Sequence, residues 1–343
     1  MSVSPILDPE ILGERGVAVD KFSVGQYFAE INTLADLQFI GEEKPYIDRP
    51  ASAAPAAKEL LLYLGCNVLK TTHLVRTVID VLKAMGFDFN TAGGPAHCCG
   101  IVHLRHGQSE TAGRVAAMSM RHFGRYGARH VLMWCPSCND HYDDVVGEEQ
   151  GVEFTYEPVT AFIARHIDRV PFVRAVNKRV AVHHHCGSQR SVQDWQNVRT
   201  ILCAIPGLKL LELRDQATPG RNCTAVWIRQ IGRAHWESTM AGVLEAARDS
   251  QADVLATVHS SCHREICAQE ANYPFAIVHY ISLLGEALGI EYPDIFKHHR
   301  IRADPEATFK DVSPYVEAKG LDPARVREVL LSAFAPPEKR KIP

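Results

Sequence analysis

No stretch of this chain approaches the roughly 20 consecutive apolar residues that cross a bilayer. A membrane-spanning helix is therefore not expected. A dominant charge is lacking too. Lys and Arg total 37 against 40 Asp and Glu, a formal net charge of −3, which leaves no footprint for nucleic acid. The opening residues, MSVSPILDPEILGERG, contain no secretory signal core. No G-x-G-x-x-G motif follows an apolar run, so the flavin and nicotinamide fingerprint is missing. Together these absences imply a cytoplasmic protein that does not collect electron pairs by itself.

Cysteine, by contrast, is plentiful, with ten in 343 residues. In a cytoplasmic chain such density indicates metal or redox chemistry rather than a disulfide frame. Hydrophobic residues make up 46% and charged residues 22%, an ordinary globular balance. The length exceeds what one hydrophobic core usually serves, so two domains are expected.

Five cysteines fall within residues 60–140. LLLYLGCN carries Cys66, AHCCGIVH carries Cys98 and Cys99, and VLMWCPSCND carries Cys135 and Cys138. Thirty-one residues separate Cys66 from Cys98, and 35 separate Cys99 from Cys135. Each follows an apolar run or sits in a Gly/Pro loop, so strand ends and loops can gather the five thiolates around one centre. Thiolates in this number favour zinc or iron–sulfur. Five is one more than a tetrahedral zinc uses.

The elements recur along the chain. ELLLYLG (59–65) reads as a buried strand. A helix follows with Leu74, Val75, Val78, Val81, Leu82 and Met85 on one face and Gly86 at its stop. Gly93, Gly94 and Pro95 form a loop, residues 111–123 a second helix, and HVLMW (130–134) a second strand. The order then repeats as strand KRVAVHHH (178–185), helix 192–204 closed by Pro206-Gly207, strand LKLLEL (208–213), helix 228–248 and strand DVLATV (253–258). Adding 124 carries 99 onto Cys223, 138 onto Cys262, 98 onto Asn222 and 135 onto His259, and puts 66 at 190, four past Cys186. Alternating strands and helices predict two related α/β units with mainly parallel sheets and the cysteines in loops at strand ends. The expected divisions are an arm and linker over 1–58, a first unit over 59–177, a second over 178–291 and a tail over 292–343. In the tail one helix is expected, over 324–334, with PPEKRKIP disordered.

Cys66, Cys98-Cys99-Gly100 and Cys135-Pro136-Ser137-Cys138 resemble the cysteine-rich CCG motif of the B-type subunits of heterodisulfide reductase. That motif is shared with the E-type subunits of succinate dehydrogenase and with glycolate oxidase iron–sulfur subunits. The resemblance covers roughly 59–290, with the first motif complete and the second degenerate. It implies a noncubane [4Fe–4S] cluster held by Cys66, Cys98, Cys99, Cys135 and Cys138 that works on disulfide or persulfide sulfur. Adjacent thiolates at 98 and 99 diverge, which suits a fused cluster better than one tetrahedral ion. The ferredoxin run C-x2-C-x2-C-x3-C is absent, so the chain has no ferredoxin domain of its own. GGPAHCCGIVH and the extended N-terminus resemble the narrower group of B-like subunits in the cytoplasmic sulfur-oxidising complex. That likeness implies a flavin-bearing A-like partner, an iron–sulfur C-like partner, a B-like paralogue and a lipoate-binding sulfur carrier. A non-catalytic zinc or iron–sulfur scaffold that docks a catalytic paralogue is the alternative.

The second motif offers Cys186, Cys223, Cys262 and His259. These fit structural zinc or an iron–sulfur cluster with one imidazole ligand. Other residues carry weaker expectations. His97 and His103 flank the cysteine pair and are candidates to orient sulfur or move a proton. His183, His184 and His185 alternate in direction along a strand and are expected mainly as packed residues. Trp134 and Cys203 are expected in the core. Cys267 is expected as a helix thiol. Arg105, Arg114, Arg121, Arg125 and Arg129 read as a solvated face able to attract an anion.

Overall fold

The computed structural model describes residues 23–39, 43–50, 55–146, 154–183, 189–213, 223, 228 and 231–336. Residues 51–54 of the expected linker and the C-terminal 337–343 lie outside them.

The first unit is a parallel four-stranded sheet: Leu60–Gly65 (β1), Phe89–Gly93 (β2), His130–Met133 (β3) and Thr155–Pro158 (β4), in the order β2-β1-β3-β4. β1 is almost wholly buried because helices cover both faces, which is why it reads as an unbroken apolar run. Thr72–Ala84 (α2) and Val159–Arg165 (α6) pack on one side, and Ser109–Arg125 (α4) on the other. Helix Val24–Asp36 (α1) precedes the sheet. The Ser23 hydroxyl caps it by accepting from the Gln26 N–H at 3.2 Å. Ile101–Leu104 (α3) and Pro136–Val146 (α5) complete the unit.

The second unit repeats the plan. Arg179–His183 (β5), Lys209–Leu210 (β6), Val254–Thr257 (β7) and Ala276–His279 (β8) are all parallel, in the order β6-β5-β7-β8. Gln189–Ala204 (α7), Arg233–Asp249 (α8), Ser260–Ile266 (α9) and Tyr280–Ala287 (α10) flank them. The two parallel α/β units are as the pattern predicts. Registers locate the slip in the repeat. Tyr63 pairs with Met133 in the first sheet, and His183 pairs with Thr257 in the second. The offset is 183 − 63 = 120 on the first strand and 257 − 133 = 124 on the second. At 120, Cys66 corresponds to Cys186.

A single apolar core joins the units, with Leu74, Val78 and Leu82 of α2 and Phe162 of α6 against Val198 and Ile201 of α7 and Ile281 and Leu284 of α10. Gly285 lets α10 approach α2, since an added Cβ would lie 2.7 Å from Thr77 Cγ2 and 2.7 Å from the Ile290 carbonyl oxygen. Gly285→Ala is therefore expected to lower stability by about 1–3 kcal/mol from overpacking, less the ~1 kcal/mol that alanine returns in helix propensity. An unchanged urea midpoint would show that this contact does not limit the packing.

The tail differs from expectation. Ile295–Arg302 (α11) and Pro305–Ala318 (α12) precede the expected helix, Pro323–Phe334 (α13). Each has an Asp cap (Asp294, Asp304 and Asp322), and the last two carry Pro at the first helical position. With Leu34 and Leu37 at the end of α1, these helices close a separate core around Phe296, Val312, Leu330 and Phe334. β2, β4 and β8 are additions to the expected strands, being runs of only four or five residues. The expected strand 208–213 pairs only at Lys209 and Leu210. Cys203 is exposed, not in the core. Trp134 is buried and stacked on His279, and Cys267 is buried.

Candidate metal centres

The three cysteine segments all leave the carboxyl ends of adjacent strands, where the chain reverses its direction of winding and parallel sheets open a crevice. Gly65 ends β1 at φ +72°. Its missing Cβ makes room, because an added one would lie 3.1 Å from Cys135 Cβ and 3.2 Å from Cys138 Sγ. Cys66 follows directly. β2 leads through a turn at Pro95–His97 to Cys98, Cys99 and Gly100. Gly100, at φ +95°, donates its N–H to Cys98 Sγ at 3.3 Å. β3 leads to Cys135, and the first turn of α5 brings Cys138 back, its N–H donating to the Cys135 carbonyl at 3.1 Å.

The five sulfurs crowd together and perturb one another's ionisation in turn, Cys66 with Cys98, Cys98 with Cys99, Cys99 with Cys138 and Cys138 with Cys135. Protons are shared unevenly among them. Burial opposes ionisation of Cys99, but bonds from Cys138 and Cys98 outweigh it and bring the thiol down to about 6. The bond from Cys138 brings Cys135 down to about 6 against burial, helped by Arg105. Cys66 is pushed up by donating to Cys98 and by burial. Cys138 rises because it donates to Cys135 and Cys99. Cys98 accepts from Cys66, which favours its thiolate, but donation to Cys99 and burial push it up. Five crowded sulfurs with protons to spare are a donor set that a cationic metal centre relieves.

A cleft of about 170 Å³ opens over Cys66, Cys98, Cys135 and Cys138. Its opposite wall is the second unit, which supplies Cys223, His259 and Arg264. The Arg264 guanidinium is buried and donates to the Asn67 carbonyl at 3.1 Å, next to Cys66. Arg105 reaches Ser137 Oγ at 3.2 Å and lines the same cleft. Tyr27 enters from α1, and burial followed by the nearby Cys66 raises its phenol well above the usual range. Neither Tyr27 nor Arg264 carries a local sequence signal, because each comes to the sulfurs from a distant segment.

At the second site the donor atoms of His183, Cys223 and Cys262 lie within 4.8 Å of one another, all buried. His183 Nε2 is 3.2 Å from Cys223 Sγ. This ring is therefore more than the packed residue that its strand position suggests. Its equivalence to Tyr63, whose hydroxyl lies 3.8 Å from Cys138 Sγ, is the signal that would have found it. His259 Nε2 is 3.1 Å from Asp194 Oδ2, and Asp194 Oδ1 accepts from the Thr160 hydroxyl at 2.5 Å. The ring also reaches the Cys262 thiol. Burial disfavours its charge, but Asp194 and Cys262 raise it to about 10. Cys186, Asn222, Thr224, His184 and His185 lie outside the described residues.

His97 and His103 point elsewhere. His97 Nε2 is 2.8 Å from the Tyr126 hydroxyl, and His103 Nδ1 is 2.7 Å from Gln108 Oε1. Neither ring lines the cleft, whereas His106 does. Arg114 pairs with Glu110, and Arg121, Arg125 and Arg129 are exposed.

Comparison with known proteins agrees with this duplicated architecture. The D subunit of dihydromethanophenazine:CoB–CoM heterodisulfide reductase from Methanosarcina barkeri is 25% identical over 265 residues, covering 71% of this chain and 63% of that protein. The Methanosarcina acetivorans counterpart is 26% identical, covering 74% and 67%. The B subunit of fumarate reductase (CoM/CoB) from Methanothermobacter marburgensis is 26% identical over 45% of this chain and 31% of its own length. The chain thus spans about two thirds or less of these curated relatives. A solved structure of a hypothetical protein from Helicobacter pylori aligns over 80% of this chain and 56% of its own at 11% identity, with a TM-score of 0.49. Among the described residues, no helix is long and apolar enough to cross a membrane. Residues 60–141 and 180–266 each match the cysteine-rich CCG domain, so the chain carries two copies of that domain, one on each sheet.

Proposed function

We propose that this chain is the iron–sulfur redox subunit of a heterodisulfide-reductase-like complex. The observation that carries the reading is the gathering of five cysteines, four of them lining an open cleft whose walls bear Arg105 and Arg264. A cleft over the centre gives a ligand access to it, which a non-catalytic scaffold does not require. Cys66, Cys98, Cys99, Cys135 and Cys138 would hold a noncubane [4Fe–4S] cluster. When bound, that group supplies one-electron steps at a sulfur–sulfur bond.

The protein's own residues shape the rest. Arg105 and Arg264 place positive charge beside the sulfurs, which attracts an anionic thiol or carrier. Tyr27 keeps its proton at neutral pH and stands at the cleft as a donor. Reduction of a disulfide breaks one S–S bond, takes up two electrons and two protons, and releases two thiols. Oxidation of a carrier-bound persulfide withdraws electrons instead. With no nucleotide fingerprint in the chain, a flavin-bearing A-like subunit and an iron–sulfur C-like subunit would exchange those electrons. A B-like paralogue completes the assembly, and a lipoate-binding carrier in the cytoplasm supplies the sulfur. Cys186, Cys223 and Cys262, with His183 and His259, would hold zinc or a second iron–sulfur cluster. There Asp194 braces the His259 ring, as outer-sphere carboxylates orient ligating imidazoles.

Metal analysis of anaerobically purified protein tests the reading. Iron and acid-labile sulfide are expected at about four each per chain or more, with a paramagnetic signal that changes on adding a thiol substrate. Protein containing zinc alone, without sulfide, would replace this reading with the scaffold.

A further inference from the structure

We infer that His73, His263 and Asp294 form a third metal site, of the zinc type, which ties the two α/β units to the C-terminal helices. The three residues come from α2, from α9 and from the cap of α11. Their donor atoms lie within 4.8 Å of one another. His73 is 5% exposed and His263 fully buried.

Hydrogen bonding alone leaves this cluster incomplete. His263 Nε2 is 2.6 Å from Asp294 Oδ2. His73 Nδ1 is 3.4 Å from Asp294 Oδ1 but makes no hydrogen bond, so this buried ring nitrogen has no partner. Buried polar atoms left unpaired call for an explanation, and a bound ion is one. The separations fit that explanation. Two donors held at about 2.0–2.1 Å from one tetrahedral ion stand about 3.3 Å apart, within the range set by the 2.6 and 3.4 Å observed here.

Charge leads the same way. Asp294 is enclosed beside the two rings, its Oδ2 2.6 Å from His263 Nε2 and its Oδ1 accepting from the Lys297 backbone N–H at 2.9 Å. Among the described residues no lysine or arginine pairs with it. The Lys297 ammonium is instead held by Glu270 Oε2 at 2.7 Å and the Ile277 carbonyl at 3.1 Å. The site's unfilled role is therefore that of a cation. Burial brings His73 down to about 4, so its imidazole is neutral, the form that binds metal. Two imidazoles and one carboxylate suit zinc. None of the three residues lines the sulfur cleft. A structural role follows, independent of the cysteine sites, because an ion here joins segments nearly 200 residues apart in the chain.

The test is metal content of the full chain loaded with Zn2+, compared with His73→Gln and Asp294→Asn. Asparagine still caps α11, which guards that variant against misfolding. Each variant is expected to hold one zinc fewer than the parent, with iron and sulfide unchanged, and to melt at a lower temperature only in the absence of chelator. Cys262→Ser should retain this zinc. With Co2+ in place of zinc, the parent should gain visible d–d bands that Asp294→Asn lacks, without added thiolate-to-cobalt charge transfer. Equal zinc in parent and Asp294→Asn, or cobalt bands unaffected by that change, would overturn the site.

Discussion

Cys99→Ser is expected to abolish the first centre and its sulfur chemistry. Cys99 stands between Cys98 and Cys138, both of which favour its thiolate, and it is one of two sulfurs held near a pKa of about 6. A serine hydroxyl is a harder and far weaker iron ligand, and among the described residues no cysteine beyond the five belongs to this group of sulfurs. Altering even the supports of a metal ligand costs roughly 10–100-fold in affinity or activity, so loss of the ligand itself should exceed about 100-fold. Iron per chain, the paramagnetic spectrum and disulfide turnover in the assembled complex are the readouts. Cys223→Ser provides the contrast. Its sulfur is buried against His183 Nε2 and Met240 Sδ in the second unit, so the expected loss is in thermal stability while the first signature survives. If Cys99→Ser retains iron and turnover, or if Cys223→Ser removes the first signature at unchanged stability, the division between the two sites is wrong.

Gly100→Ala should be nearly as damaging, although it removes no ligand. At φ +95° an L side chain is strained by about 1–2 kcal/mol. The added Cβ would also stand 2.4 Å from the Ala112 carbonyl oxygen and 3.0 Å from its carbon, both backbone atoms of α4. Helix backbone cannot swing aside as a side-chain tip can, so overpacking adds roughly 1–3 kcal/mol. Relief would require the Cys98-Cys99 turn to move, which would disturb the Gly100 N–H bond to Cys98 Sγ. The expected result is a fall of about 2–5 kcal/mol in unfolding free energy together with reduced iron content. A denaturant midpoint within error of the parent would show that the turn tolerates φ > 0 with a side chain. In the second unit Thr224 occupies the matching position of the sequence.

The amino-acid sequence by itself determined the duplication, the parallel α/β class and the five first-site cysteines. Those features are written locally. A strand buried on both faces must be an apolar run, and thiolates at strand ends fall in short loops with recognisable residues. Short strands such as AIVH at β8 and TYEP at β4 carry too few residues to declare themselves, and the Asp-Pro caps of α12 and α13 are local signals without a strong apolar period behind them. What only the tertiary structure decided is which distant residues face the sulfurs. Arg264 and Tyr27 stand at the cleft because the second unit and α1 pack over the first. Likewise His183 meets Cys223 through strand register rather than spacing, and His73, His263 and Asp294 meet because three segments share one interface. Such meetings depend on how buried apolar faces dock, and side-chain spacing along the chain holds no record of them.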